Sequence, residues 1–575
     1  MAMTRPSAVF GPALALAAIL FALSTMPAAS AQEPETSSGP QFFDRIGVEI
    51  VNVDVYVTDA QGNPVEGLTR DDFVVTEDGK GVEVLNFYSE FDGEPTSLPD
   101  AELEAEPESR EEAPPSLTTA GVERVVPESQ RLNLIVFVDN YNINALNRNR
   151  VFGRLRAFLR ETLRPGDEVM IATYDRSLQI RLPFGGSGQD ASQTLLDLEG
   201  LSGMAMERES ERSDAIKEIY ETDSLHTAQF RAKQFAENQY HEMGNALRAL
   251  SEMIDSLGGL PGRKMLIHVS DGIPMVPGQD LYQAIQQRFA DQSALMEAFS
   301  RDLSREYMRL IAQANSNRVS FYTIDASGLR VRSGMGAENA SVAYEMPISI
   351  SVDGIRAKNL QGSLRLMADR TGGQTILNTN DVKEGLERVA LDFGNYYSLG
   401  YRAPTDDRGR FHTIEVRLKN PERGWKVRHR GGYRDKSVEA QMQASAKAYL
   451  VHGYQTNPLS VSIDVGQASP TPDGNFDVPI RVRVPIANLV LVPRGEFYEA
   501  SLRIFFGATD EQGRDSPLQE LPFELRIPAS AIEVAKQDEV ARVIDATMRP
   551  GPHKVVVAVR DEIGLEESVV GQNLM

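Results

Sequence analysis

The chain has 575 residues, enough for about two to four domains, and its 41% hydrophobic and 25% charged content is ordinary globular composition. A formal net charge of −23 excludes a basic surplus for nucleic-acid backbones and, on average, attraction to an anionic membrane surface. Zero cysteines exclude disulfides, thiolate metal sites, a catalytic thiol and cysteine lipidation, so hydrophobic cores must hold the fold.

Residues 1–31 read as a secretory signal peptide, with Arg5 as the only charge, an apolar run of 11 residues from Ala13 to Leu23, and the small-x-small pattern of Ala29, Ser30 and Ala31. The mature chain is expected to start at Gln32, exported to a bacterial periplasm or secreted. The apolar run is short of the roughly 20 residues that span a bilayer, and no later segment approaches that length, so no membrane span is expected after cleavage.

An N-terminal β module is expected over 44–91. Val48 to Val57 alternates apolar and polar residues, Asp59 to Pro64 makes a turn, and Phe73 to Thr76 and Val82 to Tyr88 flank a second turn at Asp78 and Gly79. Residues 92–128 read as an acidic, Pro-rich disordered linker, since nine acids between Asp92 and Pro115 face a single base, Arg110.

From 129 to 434 the pattern is strand then helix. Leu134 to Val138, Val169 to Tyr174, Met265 to Val269 and Val319 to Ile324 are apolar runs suited to strands buried on both faces. Helices fit Asn147 to Leu163, Leu281 to Ala314 (one or two), Leu360 to Arg370 and Val382 to Phe393, with a polar helical insertion at about 191–257, read as a solvated helix or an interaction arm. This alternation predicts an α/β fold with a doubly wound, mostly parallel sheet, flanked by small all-β modules. Tyr396 to Tyr401, Thr413 to Leu418 and Lys426 to His429 are further strand candidates at its end. A helical joint is expected over 435–455. Irregularly spaced strands from Leu459 to Val559 then predict an immunoglobulin-like β-sandwich over 456–575.

An apolar strand closing on an acid at Leu134 to Asp139 (LIVFVD), the segment Gly262 to Gly272 (GRKMLIHVSDG), and Met243 to Leu247 (MGNAL) between them resemble landmarks of a von Willebrand factor A domain. More specifically, the chain resembles the family described as VWFA-related, of acidobacterial type. That likeness rests on Val53 to Asp59 (VDVYVTD), Gly67 and Leu68, Asp72 and Phe73, Tyr322 to Ala326 with Gly328 and Leu329, Thr371 to Gly373 with Asn378 to Asn380, and Asn395 to Tyr397 with Gly400 and Tyr401. These matches run from about 46 to 434; each is weak alone, and their order and spacing make the set.

The resemblance implies a Mg2+ site, or one for another divalent cation, above the strand ends. In the parent fold the ligands come from an Asp-x-Ser-x-Ser turn, a Thr before a later helix, and an Asp after the central strand. Here the two acids are Asp139 and Asp271, but Tyr141 and Ile143 stand where the serines belong, and the Thr position offers His241 or Glu242. Two readings stand. Asp139, Asn142, Glu242 and Asp271 could hold an ion, or Asp139 braces the loop after its strand while Asp271 forms a turn with Gly272.

No Gly-x-Ser-x-Gly elbow, His-Glu-x-x-His pair or Walker A loop is present, and His268, inside an apolar strand, reads as a satisfied core histidine. The expected function is therefore protein binding or scaffolding through the A-like unit, at Asp139, Asn140, Asn142 and Asp271, with an unknown protein partner and no nucleic acid. The alternatives are a metal-dependent hydrolase using Asp139 and Asp271, and an envelope assembly or chaperone-like accessory acting through the insertion.

Overall fold

The computed structural model describes residues 50–91, 94–97, 131–164, 166–329, 350–403 and 409–574. The segment read as a signal peptide and most of the stretch read as an acidic linker lie outside the described residues. Among the described residues, no helix is long and apolar enough to cross a membrane.

The chain opens with β1 (Ile50–Thr58), β2 (Phe73–Glu77), β3 (Lys80–Val82), β4 (Val84–Phe91) and β5 (Glu94–Ser97). The α/β part follows: β6 (Leu132–Val138), α1 (Ala145–Thr162), β7 (Glu168–Tyr174), β8 (Leu178–Gly186), α2 (Gly188–Leu198), α3 (Ala205–Glu221), α4 (Leu225–Ser256), β9 (Arg263–Ser270), α5 (Gln279–Phe289), α6 (Ser293–Ala298), α7 (Ser304–Ser316), β10 (Val319–Asp325), α8 (Ile350–Thr371), β11 (Thr375–Ile376) and α9 (Lys383–Gly394). Next come β12 (Tyr396–Arg402), β13 (Phe411–Leu418), β14 (Lys426–His429), β15 (Gly432–Arg434) and α10 (Val438–His452). The remainder is β-rich, with its longest strands at Phe476–Pro485, Phe497–Asp510, Gln519–Pro528, Glu539–Met548, His553–Asp561 and Glu567–Leu574.

Six strands form the central sheet in the order β11-β10-β9-β6-β7-β8. All neighbours pair parallel except the edge strand β8, which pairs antiparallel to β7. Every residue of β6 and β9 is buried, the polar Asn133, Arg263, Lys264, His268 and Ser270 together with the apolar residues expected of a parallel strand covered on both faces. Side chains alternate across the sheet. Leu134, Val136 and Val138 pack with Phe152 and Leu155 of α1, Leu195 of α2 and Leu386 of α9. Ile135 and Phe137 pack with Leu250 and Met253 of α4, Leu310 of α7 and Leu364 of α8. The chain adds β7 on one side of β6 and then returns to place β9 on the other.

Several expectations change. The 44–91 strands do not close on themselves: β1 lies between β12 and β14, and β2 pairs with β13, so residues 50–91 and 396–434 share one core containing Val53, Val55, Phe73, Tyr397, Leu399 and Val416. A single 50-residue module has too little apolar surface for its own core, and the returning strands supply the rest. Within the stretch read as a disordered linker, Glu94–Ser97 adds an edge strand to β4. The helical span 281–314 is three helices, and Ala290 takes a left-handed conformation (φ 54°) where the first one ends.

Nor is the insertion solvated. Its helix α3 buries Arg212, Ile216 and Ile219 against α4 and α5, and Arg212 pairs with Asp280 at 2.5 Å, Glu209 at 2.9 Å and Asp353 at 3.5 Å. Polar sequence here encodes an ion network, which periodicity cannot distinguish from a wet face.

All strand pairs in the C-terminal part are antiparallel and divide between two sheets. Ile480 and Val482 of one sheet share a core with Leu502, Ile504, Val555 and Val557 of the other. Val555 to Val559 is buried throughout rather than alternating, because α10 lays Met442, Ala446 and Tyr449 on the outer face.

His268 is buried, yet neither ring nitrogen has a hydrogen-bond partner, so it is not the satisfied core histidine expected. Its ring sits 5.6 Å from that of Phe137, and burial holds its pKa down to about 4 from 6.5. The unfolded chain takes up this proton below pH 6.5 while the native state refuses it until about pH 4, so His268 erodes stability as pH falls through that window, by up to about 3 kcal/mol. His268→Leu is predicted to raise the urea midpoint at pH 7 and to flatten its decline between pH 6.5 and 4.5. An unchanged slope would contradict the assignment.

Candidate functional site

The candidate site is the rim where β6 and β9 end side by side. The backbone N–H of Asp139 donates to Val269 O at 3.0 Å, and Ser270 Oγ donates to Asp139 Oδ2 at 3.0 Å, which places both strand ends together. The loop after β6 folds back on the same carboxylate. Asn142 donates its backbone N–H to Oδ1 at 3.1 Å and its side-chain amide to Oδ1 and Oδ2 at 3.0 and 2.9 Å. Burial pushes the Asp139 carboxyl up to about 6, opposed by the bonds from Asn142 and Ser270.

Asp271, half-buried, faces α1. It accepts the backbone N–H of Asn144 at 2.9 Å and the amide of Asn147 at 3.2 and 3.4 Å. Asn144 in turn caps α1 by accepting from Leu146 N at 2.9 Å, so the two side chains fix the helix start in series. Gly272 is required here. Its φ is +100°, and a Cβ would stand 2.8 Å from the Leu360 carbonyl oxygen of α8.

Two arginines that sequence reasoning did not select complete the rim. Arg208 of α3 donates to Asn142 Oδ1, lies 3.4 Å from Glu242 Oε2, and stacks 5.0 Å from the ring centre of Tyr141. Arg148 of α1, 1% exposed, donates to Asn140 Oδ1 and to the carbonyls of Glu199 and Leu201 at 3.1 and 2.8 Å. Asn140 donates onward to Ser202 O at 3.0 Å. From outside, Arg176 approaches Tyr141 at 5.9 Å, its backbone left-handed at φ 64°.

These placements correct two expectations. Asp139, Asn140 and Asn142 are 1%, 1% and 6% exposed, so they shape the rim from beneath and do not face a partner directly. Residues 241 and 242 lie in no loop. They sit inside the continuous helix α4, because a single glycine at 244 does not break it.

A divalent ion does not fit the residues present. Both Asp139 oxygens are occupied by donors, Asn142 turns its nitrogen toward them, Ile143 has no side-chain oxygen, and Glu242 is paired with Arg208. The guanidinium of Arg208 supplies the positive charge at this rim, and its field favours the ionised form of Asp139. Of the expected residues, the structure brings together Asp139 with Asn142, and Glu242 with Asn142 through Arg208; Asp271 turns to α1 instead.

No family model matches the chain, and no curated protein matches it. Solved structures to which it is similar include a von Willebrand factor type A protein from Catenulispora acidiphila (9% identity, 69% of this chain and 76% of that one, TM-score 0.25). A second is an aerotolerance-related membrane protein from Bacteroides fragilis (11% identity, 46% and 98%, TM-score 0.24). A third is a manganese-loaded TRAP protein from Plasmodium vivax (9% identity, 54% and 96%, TM-score 0.19). Likenesses of this size assign no function.

Arg208→Ala strands the buried carbonyl of Asn142, and is predicted to cost about 2 kcal/mol in denaturant unfolding. Millimolar magnesium should not restore the loss. Wild-type stability in the variant, or recovery with magnesium, would contradict the role given to the guanidinium.

Proposed function

We propose that the chain is an exported, extracytoplasmic protein-binding or scaffold protein. Its α/β part is read as a doubly wound sheet of von Willebrand factor A type, and its C-terminal pair of sheets as an immunoglobulin-like sandwich acting as a stalk or docking unit. One observation carries this reading: β6 and β9, the two strands between which the order of strand addition reverses, end together in a rim of braced polar loops. Open α/β sheets place ligands at that crevice. The charged groups at the solvent edge of the rim are Arg176 and half-exposed Glu242, held over the braced loops.

The rim is built to bind rather than to turn over substrate. A hydrolase using Asp139 and Asp271 needs an ion that the donor set does not fit. The contact between Ser256 Oγ and His452 Nε2 at 2.9 Å is no nucleophile pair. Ser256 is buried and bonded to Met253 O, His452 Nδ1 has no partner, and burial holds the imidazole down to about 4.

A second reading, an assembly or chaperone-like accessory acting through the insertion, is favoured by the exposed apolar side chains of Met206 on α3 and Phe230 on α4, at 68% and 64%. Pull-down from envelope extracts with the full mature chain separates the two. Arg176→Glu should abolish capture while Met206→Asp with Phe230→Asp leaves it intact. The opposite pattern selects the insertion, and capture unaffected by either change overturns binding through this unit.

A further inference from the structure

We propose that Glu77, Asp78 and His412 form a divalent-cation site of the zinc class, which pins the β2–β3 turn to β13. Glu77 and Asp78 are adjacent and His412 lies 334 residues beyond Asp78, yet the pairing of β2 with β13 brings them together. His412 Nδ1 lies 3.2 Å from Glu77 Oε1 and 3.2 Å from Asp78 Oδ2, and the three atoms all lie within 4.8 Å of one another. Ligands about 2.0–2.1 Å from a tetrahedral zinc stand roughly 3.3 Å apart, so the nitrogen-to-oxygen edges already have the required length.

Beyond the cluster itself, Glu77 Oε1 is the telling atom. Glu77 is 2% exposed, its other oxygen accepts the Tyr433 hydroxyl at 3.1 Å, and Oε1 points at the cluster with no hydrogen-bond partner. A buried carboxylate oxygen whose near neighbour is an imidazole nitrogen at 3.2 Å is well placed to share a cation with it. Arg410 does not serve it; that guanidinium binds Asp78 Oδ2 at 2.6 Å on the solvent side.

The surrounding shell suits a metal-bound imidazole. Asp435 Oδ2 stands 3.4 Å from His412 Nε2, the position of the carboxylate that orients a metal-ligating histidine, and the ring stacks on Tyr433 at 5.2 Å. The Thr413 backbone N–H donates to Asp78 Oδ1 at 2.9 Å, which turns Oδ2 to the cluster, and the partial exposure of Asp78 leaves a path for the ion and a water ligand. Asp78 itself adopts φ 48°, the backbone geometry of the tight turn that presents it. In a chain without cysteine, this clasp ties the start of the fold to strands that return at its end.

The test is zinc titration into EDTA-treated full-length mature chain, by calorimetry and thermal melting, with cobalt as a spectroscopic probe. We expect one equivalent bound, a melting temperature that rises with zinc, and visible cobalt bands of a tetrahedral site. Asp78→Asn should weaken zinc at least tenfold in a chain that still melts cooperatively without metal, and His412→Gln should abolish the cobalt bands. Absence of stoichiometric binding in the wild type overturns the proposal. So does binding undiminished in Asp78→Asn.

Discussion

Burial of one carboxylate, that of Asp139, sets the organisation of the central unit. A carboxylate at the end of a fully buried strand must be supplied with donors, and three arrive from two sides: Ser270 from β9, and the backbone and amide of Asn142 from the returning loop. Satisfying it therefore fixes how β6, β9 and the loop between β6 and α1 meet. Asn142 then has a carbonyl to satisfy, which recruits Arg208 from the insertion, and Arg208 in turn engages Glu242 of α4. The insertion is thus held to the rim by polar need as much as by its apolar contacts.

The same need for donors shapes the residues around this carboxylate. Tyr141 provides a ring on which two guanidinium groups stack, at 5.0 and 5.9 Å, where a small hydroxyl would have left room for a cation. Charge of the same sign is present, but it is covalently attached. A rim of this kind needs no divalent ion to keep its shape.

The strands of the sheet and the meeting of Asp139 with the end of β9 were legible in sequence, because buried parallel strands leave unbroken apolar runs and each run ends on an acid. Arg208 and Arg148 were not legible. An arginine in a polar helix carries no signal of whether it points to water or to a buried carbonyl, and Arg148 is 1% exposed. The β unit was misdivided for a related reason: β1 and β2 find their partners more than 330 residues later, and alternation says which face is buried without saying against what. Glu77 and His412 were hidden the same way, each unremarkable in its own strand and meaningful only once those strands pair.

The central claim is that Asp139 is a buried, internally satisfied carboxylate and not an ion ligand. Its ionisation, read from carboxylate infrared difference spectra between the wild type and Asp139→Asn, tests this directly. The account predicts a midpoint near pH 6 that is the same in EDTA and in millimolar magnesium. A midpoint in the ordinary carboxylate range, or one that magnesium draws downward, would contradict it.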